Sequence, residues 1–386
     1  MLKKILFLLF LASFTGIYAV EGMIIKTTDA SFRDRWDKTL GKTAPRISGV
    51  NKLYKGQQMF LGAAITGYGS DSKSSVDVSY SVKITDPHGK VFLQEKNLKV
   101  ISREIKHKDY VQMSDDFVTV AMGFDEPFGK YSIEMEITDK ITGNIKKLTS
   151  DFEVIPLPDF ETVKITGRET FSEWMSNYYK KQEPEKALPY FIYFSQSELT
   201  EREDLMLLTM SFFREIFSNN TFLFTQFPEA YNTADEKTKI LMTTLMYNSV
   251  DRESFNNYFP AEEMQNLMTD AELPDIYSEI TAPVYLDMLW AEFYACGKQK
   301  PILKLIQTLA YSRYKGSIEA FKSSKKKASD KEKALKEGIY QAAVWSLESH
   351  FQSDELVRIY ANWLMNSDEI DDSVKRQLGA ILVKFN

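Results

Sequence analysis

One cysteine, Cys296, stands in 386 residues, so no intrachain disulfide can form. Histidine is nearly as scarce: His88, His107 and His350, with no His-x-x-x-His pair. One thiol and three scattered imidazoles cannot build the tetrahedral nitrogen–sulfur shell of a zinc site, so no metal is expected. Gly-x-Ser-x-Gly is absent, and with it the nucleophile-elbow signature of many hydrolases. No other motif carries chemistry, so neither catalytic residues nor a cofactor can be named. Positive charge is not in excess either. Forty-eight basic residues face 54 acidic ones, a net charge of −6. A general nucleic-acid binder needs a positive field to displace counterions, so no nucleic-acid partner is expected. No stretch of the mature chain is apolar over the roughly 20 residues a bilayer requires. Residues 205–217, the nearest approach, are broken by Arg214 and Glu215. The expectation is a chain without a transmembrane anchor.

What is present begins with an export pattern. Lys3 and Lys4 precede an apolar run over residues 5–14, Gly16 breaks it, and Ala19 offers a small residue for cleavage. Residues 1–19 therefore read as a secretory signal peptide, and the mature protein as periplasmic or extracellular. No cysteine sits near the cleavage point, which argues against a lipid anchor there.

The hydrophobic period changes at Ile155-Pro156-Leu157-Pro158. Before it, Val76, Val78, Tyr80, Val82 and Ile84 alternate with polar residues, as do Tyr131, Ile133, Met135 and Ile137. Period two with one apolar face predicts half-buried antiparallel strands. Asp86-Pro87-His88-Gly89 and Thr142-Gly143-Asn144 supply hairpin turns. Further strands are predicted over 58–66, 91–93, 98–102 and 117–122. After the break the period is helical. Ile302, Leu305, Ile306 and Leu309 share one face; Val374, Leu378, Ile381, Leu382 and Phe385 share another. Residues 205, 208, 212 and 216 form a third stripe on a helix apolar nearly all round, which predicts a central position. The predicted organisation is a signal peptide over 1–19, a lead segment over 20–44, a β-domain over 45–155, a Pro-rich linker over 156–166 and an α-helical domain over 167–386. The fold class is multi-domain α+β, an antiparallel sandwich followed by an all-α array, either a solenoid-like stack of hairpins or an irregular bundle.

Two resemblances follow from particular residues. Pro127-Phe128-Gly129-Lys130-Tyr131 places a tyrosine at a strand start after a glycine turn, and with Asp86-Pro-His-Gly89 it resembles the Ig-like β-sandwich modules of exported bacterial proteins. That resemblance covers about residues 45–155 and implies a fold, not an activity. Glu173-Trp174-Met175-Ser176-Asn177-Tyr178-Tyr179, the run at 212–220, the run at 283–293 and Ala342-Ala343-Val344-Trp345-Ser346-Leu347-Glu348-Ser349 resemble a family of uncharacterised exported bacterial helical proteins. It implies no catalytic residue. Cys296-Gly297 stands where that family would suggest Thr-Gly.

The remaining clusters read as structural. Residues 368–372 lack the alternate ligands and glycine of a calcium loop, and Asp371 or Asp372 serves better as a helix N-cap. The lysines at 322, 325–327, 331 and 333 lack interleaved aromatics and read as a solvated loop. His350 is expected at a helix end. Phe171, Trp174, Tyr178, Tyr179, Tyr190, Phe191, Tyr193 and Phe194 crowd one helix pair and on helical spacing cannot all face one core. Among them, Trp174, Tyr178, Tyr179, Tyr190 and Tyr193 are the candidate partner surface. The expected function is that of an exported, non-catalytic protein binding another envelope or extracellular protein. The alternatives are a hydrolase with a site assembled from distant acidic residues, and a carbohydrate- or peptide-binding module with an aromatic groove.

Overall fold

The computed structural model describes residues 20–39, 47–107, 110–165, 167–251, 253–255, 272–323 and 328–385. The expected signal peptide lies outside them. The chain is mixed, with a sheet region toward its N-terminus and helices after it. Among the described residues the strands are β1 (Glu21–Thr27), β2 (Lys52–Tyr54), β3 (Gln58–Thr66), β4 (Ser75–Thr85), β5 (Val91–Glu104), β6 (Gln112–Met113), β7 (Val118–Ala121), β8 (Gly129–Asp139) and β9 (Ile145–Ile155). The helices are α1 (Phe32–Lys38), α2 (Arg168–Asn177), α3 (Ala187–Gln196), α4 (Glu203–Asn219), α5 (Phe227–Thr233), α6 (Glu236–Ser249), α7 (Val284–Cys296), α8 (Gln299–Gln307), α9 (Ser317–Ser323), α10 (Ala328–Ser353), α11 (Glu355–Met365) and α12 (Asp372–Leu382).

Two compact units result, and neither is one run of sequence. The first takes residues through Lys26, Phe60–Val120 and Pro127–Val154; the second takes Thr27–Met59, Ala121–Glu126 and Ile155–Asn386. This corrects a β-domain drawn as residues 45–155. Residues 27–59 and 121–126 belong with the helices, for reasons of packing. The Tyr54 ring stacks on Phe222 with centroids 5.7 Å apart. Ser48 Oγ donates to the Lys180 carbonyl at 3.1 Å. Gly56 N donates to the Met122 carbonyl at 2.7 Å. The described part of the lead segment, residues 20–39, is likewise built structure, containing all of β1 and all of α1.

In the first unit, β3 lies between β1 and β6 and also pairs with β7, while β9, β8, β4 and β5 lie side by side in that order. The β4–β8 and β8–β9 pairs are antiparallel and unbroken in register. Val76, Val78, Tyr80, Val82 and Ile84 are all buried, as are Tyr131, Ile133, Met135 and Ile137. Burying one alternate set supplies the driving force for the sheet and holds its register. The Tyr80 hydroxyl donates to the Asp116 carbonyl at 3.0 Å. Residues 91–93 and 98–102, read as two strands, are one strand. Asn97 takes φ 57°, and shifts in the β4–β5 register absorb the polar stretch between them. The predicted turns close as their chemistry requires. Gly89 has φ 83°, and Asp86 Oδ1 accepts from His88 N and Lys90 N at 2.9 and 2.8 Å.

The second unit holds two apolar clusters. One gathers Phe191, Phe194, Phe212, Phe213, Phe217 and Leu245. The other gathers Leu289, Phe293, Ile302, Leu305, Ile306, Leu347 and Leu378. Asp371 caps α12, its Oδ1 accepting from Val374 N at 2.9 Å. Of the basic run, Lys325–Lys327 lie outside the described residues. No helix among the described residues is long and apolar enough to cross a membrane.

Buried charge ties α1 into this unit. Arg35 and Asp29 form an ion pair with side chains only 7% and 2% exposed. Asp29 Oδ1 also accepts from Ser31 N at 2.9 Å, at the start of α1. Lys38 Nζ lies 5.3 Å from the Trp363 ring centre on α11.

Candidate functional site

Residues 156–165, the described part of the stretch 156–166, are not a free linker. Phe160 is buried and belongs to the first helical cluster. Gln226 Nε2 donates to the Pro158 carbonyl at 2.6 Å, holding the strand–helix junction against the unit. Asp159 starts a short 3-10 turn, its Oδ1 accepting from Glu161 N at 2.9 Å. The chain then leaves that turn extended, with Val163 at φ −78°, ψ 111°. Glu161, Val163 and Ile165 thereby form one wall of a groove of about 350 Å³. Pro189, Ile192, Tyr193 and Gln196 on α3 form a second wall, and Ala230, Thr233 and Ala234 around the end of α5 complete it. The volume lies at the small end of the range for ligand sites, and the lining is mostly apolar, as such sites are. Glu161 is the one charged lining residue.

The five aromatic residues singled out as a partner surface separate in the structure. Trp174, Tyr178, Tyr179 and Tyr190 are buried, at 7, 2, 4 and 3% exposure. They are core, which corrects their assignment to a surface. Trp174 stacks on Tyr190 at 4.6 Å and meets Phe212 edge-on at 5.4 Å. The Tyr179 hydroxyl donates to Asp354 Oδ2 at 2.6 Å, joining the 3-10 turn after α2 to the N-cap of α11. Removing rings of this size from water supplies more packing energy than a transient partner could repay. Tyr193 alone stays half-exposed. Its ring meets Phe171 edge-on at 5.8 Å while it lines the groove. The residues that sequence reasoning missed are those of the supposed linker.

The densest ionisable cluster lies elsewhere, between α4 and α7. Arg214 Nη2 pairs with Glu292 Oε2 at 2.8 Å. The Tyr277 hydroxyl donates to Glu292 Oε1. Lys298 Nζ pairs with Glu215 Oε1 at 2.8 Å. Burial raises the Glu292 carboxyl above its ordinary range, and the neighbouring Glu215 adds to the rise. Each carboxylate is matched by a cation, an arrangement that braces two helices through compensated charge. Cys296 is buried beside it, and burial pushes its thiol well up, away from the reactive thiolate. No group of three or more His, Cys, Asp or Glu among the described residues could hold a metal ion.

His350 lies in the last turn of α10, at the expected helix end, and its imidazole lies flat on Trp290 with centroids 3.6 Å apart and 10° between planes. Its Nδ1 is 2.6 Å from the Ser346 carbonyl. Burial holds its pKa below the ordinary histidine value. It is a packing residue between α7 and α10.

No family model matches the chain, and no curated protein matches it. Among solved structures the chain shows similarity to a family 123 glycoside hydrolase from Clostridium perfringens, whose structural analysis concerned glycolipid glycan hydrolysis. The identity is 12% and the TM-score 0.23, over 47% of this chain and 36% of that one. The match thus spans little more than a third of the hydrolase, and at that TM-score it assigns neither fold nor activity.

Proposed function

We propose that this is an exported, non-catalytic protein that binds another protein of the bacterial envelope or extracellular space, through the groove beside Tyr193. The observation that carries this reading is the groove itself, an open, mostly apolar recess walled by α3, α5 and the stretch from Glu161 to Ile165. Buried apolar anchors in small pockets dominate protein recognition, and aromatic residues are favoured around them. Tyr193 is the member of the aromatic set left half-exposed where such an anchor would enter. Export rests on residues 1–19, with their Lys pair, apolar run and Ala19. The Ig-like reading of the first unit is supported by Tyr131. Its hydroxyl donates to the Pro127 carbonyl at 3.0 Å, the upstream bond typical of a tyrosine corner. The helical unit is proposed to group with the exported bacterial helical proteins it resembles.

Two measurements test this reading. N-terminal sequencing of the mature protein should begin near Val20, and an intact Met1 would remove the export claim. Affinity capture from envelope extract should retain a protein on the wild-type chain and lose it on Tyr193→Asp. Equal retention by both would place binding elsewhere than the groove.

A further inference from the structure

We infer that the groove takes an extended peptide segment in which an apolar side chain is neighboured by lysine or arginine. This deepens the groove reading and rests on it. Three observations carry the choice of occupant. The first is shape. The wall leaves the 3-10 turn at Thr162 with Val163 extended, and no backbone hydrogen bond joins Val163, Lys164 or Ile165 to another described residue. An extended peptide laid alongside could use those N–H and C=O groups, as strand-addition ligands do. The second is the lining. Val163, Ile165, Ile192 and Ala234 offer an apolar floor and walls, while Tyr193 and Gln196 add polar ends. That combination receives one apolar side chain and leaves the adjoining peptide groups at the polar rim.

The third observation is charge. Glu161 is the one ionisable group with a carboxylate in the lining, and no ion pair among the described residues engages it. The nearby Glu198 differs, since Arg168 Nη1 lies 3.6 Å from its Oε1. Lys164 is not part of the lining. An acidic peptide would meet a like charge there. A basic residue beside the apolar anchor would find a partner, which sets specificity more than raw affinity.

The test is selection of a random dodecapeptide phage library on the full mature chain, followed by titration of fluorescein-labelled synthetic copies. Three variants accompany it. Glu161→Lys reverses the charge at an exposed position. Tyr193→Asp puts a charge in the groove wall. Thr233→Trp fills the recess from an exposed position, so that loss of binding does not depend on a core substitution. The expected peptides pair an aromatic or aliphatic residue with an adjacent Lys or Arg. Their affinity should fall about fivefold or more on Glu161→Lys, as expected for reversing one partly exposed charge. It should be lost on Tyr193→Asp and on Thr233→Trp. Suppose the peptides are lost on Thr233→Trp but lack basic residues and bind Glu161→Lys unchanged. The inference about charge is then overturned while the groove reading stands. Peptides that survive both Tyr193→Asp and Thr233→Trp would overturn the groove reading itself.

Discussion

Tyr131 shows how one side chain combines two kinds of stabilisation. It is fully buried, its ring stacks on Phe152 at 5.1 Å and meets Phe92 edge-on at 5.5 Å. Its hydroxyl donates to the Pro127 carbonyl. Substituting phenylalanine keeps the packing and removes the bond, so Tyr131→Phe should cost about 1 kcal/mol. Tyr131→Ala removes the ring and leaves a cavity, at a cost of about 3–5 kcal/mol. Urea titration of the whole mature chain, following the β-unit transition, measures both. A neutral Tyr131→Phe would mean that the hydroxyl bond contributes nothing. Gly297 makes a related point in the helical unit. It ends α7 at φ 65°, and a Cβ there would lie 2.9 Å from Tyr179 Cδ2. Whatever residue precedes it, this helix end requires glycine.

Among the elements, α10 carries a half-buried histidine whose packing depends on acid. His350 lies against Trp290, and burial lowers its folded-state pKa. The unfolded chain, with an ordinary histidine value of about 6.5, therefore takes up the proton first. Stability from this group is complete above that value and is lost as the pH falls from it through the lowered folded value. Urea midpoints of the helical transition should drop between pH 7 and pH 5.5. The drop should shrink in His350→Phe, which keeps a ring on Trp290 without a proton to gain. An unchanged drop in that variant would assign the acid sensitivity to other groups. The segment 159–165 carries the complementary lesson for a short element. Its only regular structure is the 3-10 turn over Phe160–Thr162. It is held by Phe160 in the core, by the Gln226 bond to Pro158 and by the Asp159 turn, and so can serve as a fixed wall of the groove.

For the whole molecule, the second unit is completed by chain from before the sheet region. A fragment of residues 159–386 would lack α1 and the buried Asp29–Arg35 pair. It would also lack Leu53, which is fully buried. Such a fragment should melt below the helical transition of the intact chain. Each kcal/mol lost lowers the midpoint by about 2–4 °C in a domain of this size. A synthetic peptide of residues 27–59, added in excess, should raise the midpoint in proportion to the logarithm of its concentration. Thermal melts followed by circular dichroism at 222 nm decide the matter. No shift with added peptide would show that the helices form a complete core without it.

Local pattern was enough for the elements themselves. The alternation through β4 and β8, the turns at Gly89 and Gly143 and the N-cap at Asp371 could be read directly, because their causes act within a few residues. The change of period at residue 155 marked where strands give way to helices. Pairings over long separations were beyond such reading. Nothing local tells that Arg35 is buried near Tyr179 and Tyr360, that Glu292 meets Arg214, or that His350 lies on Trp290. The same holds for the aromatic set. Helical spacing said that the eight aromatic rings over 171–194 could not all face one core. Only the packing of α2, α3 and α4 decided that Trp174, Tyr178, Tyr179 and Tyr190 go inside while Tyr193 stays at the rim. The groove belongs wholly to tertiary structure. Its walls come from three separated stretches, one of which reads as a linker by composition. Burial is a property of what surrounds a side chain, and those surroundings are assembled only when distant parts of the chain meet.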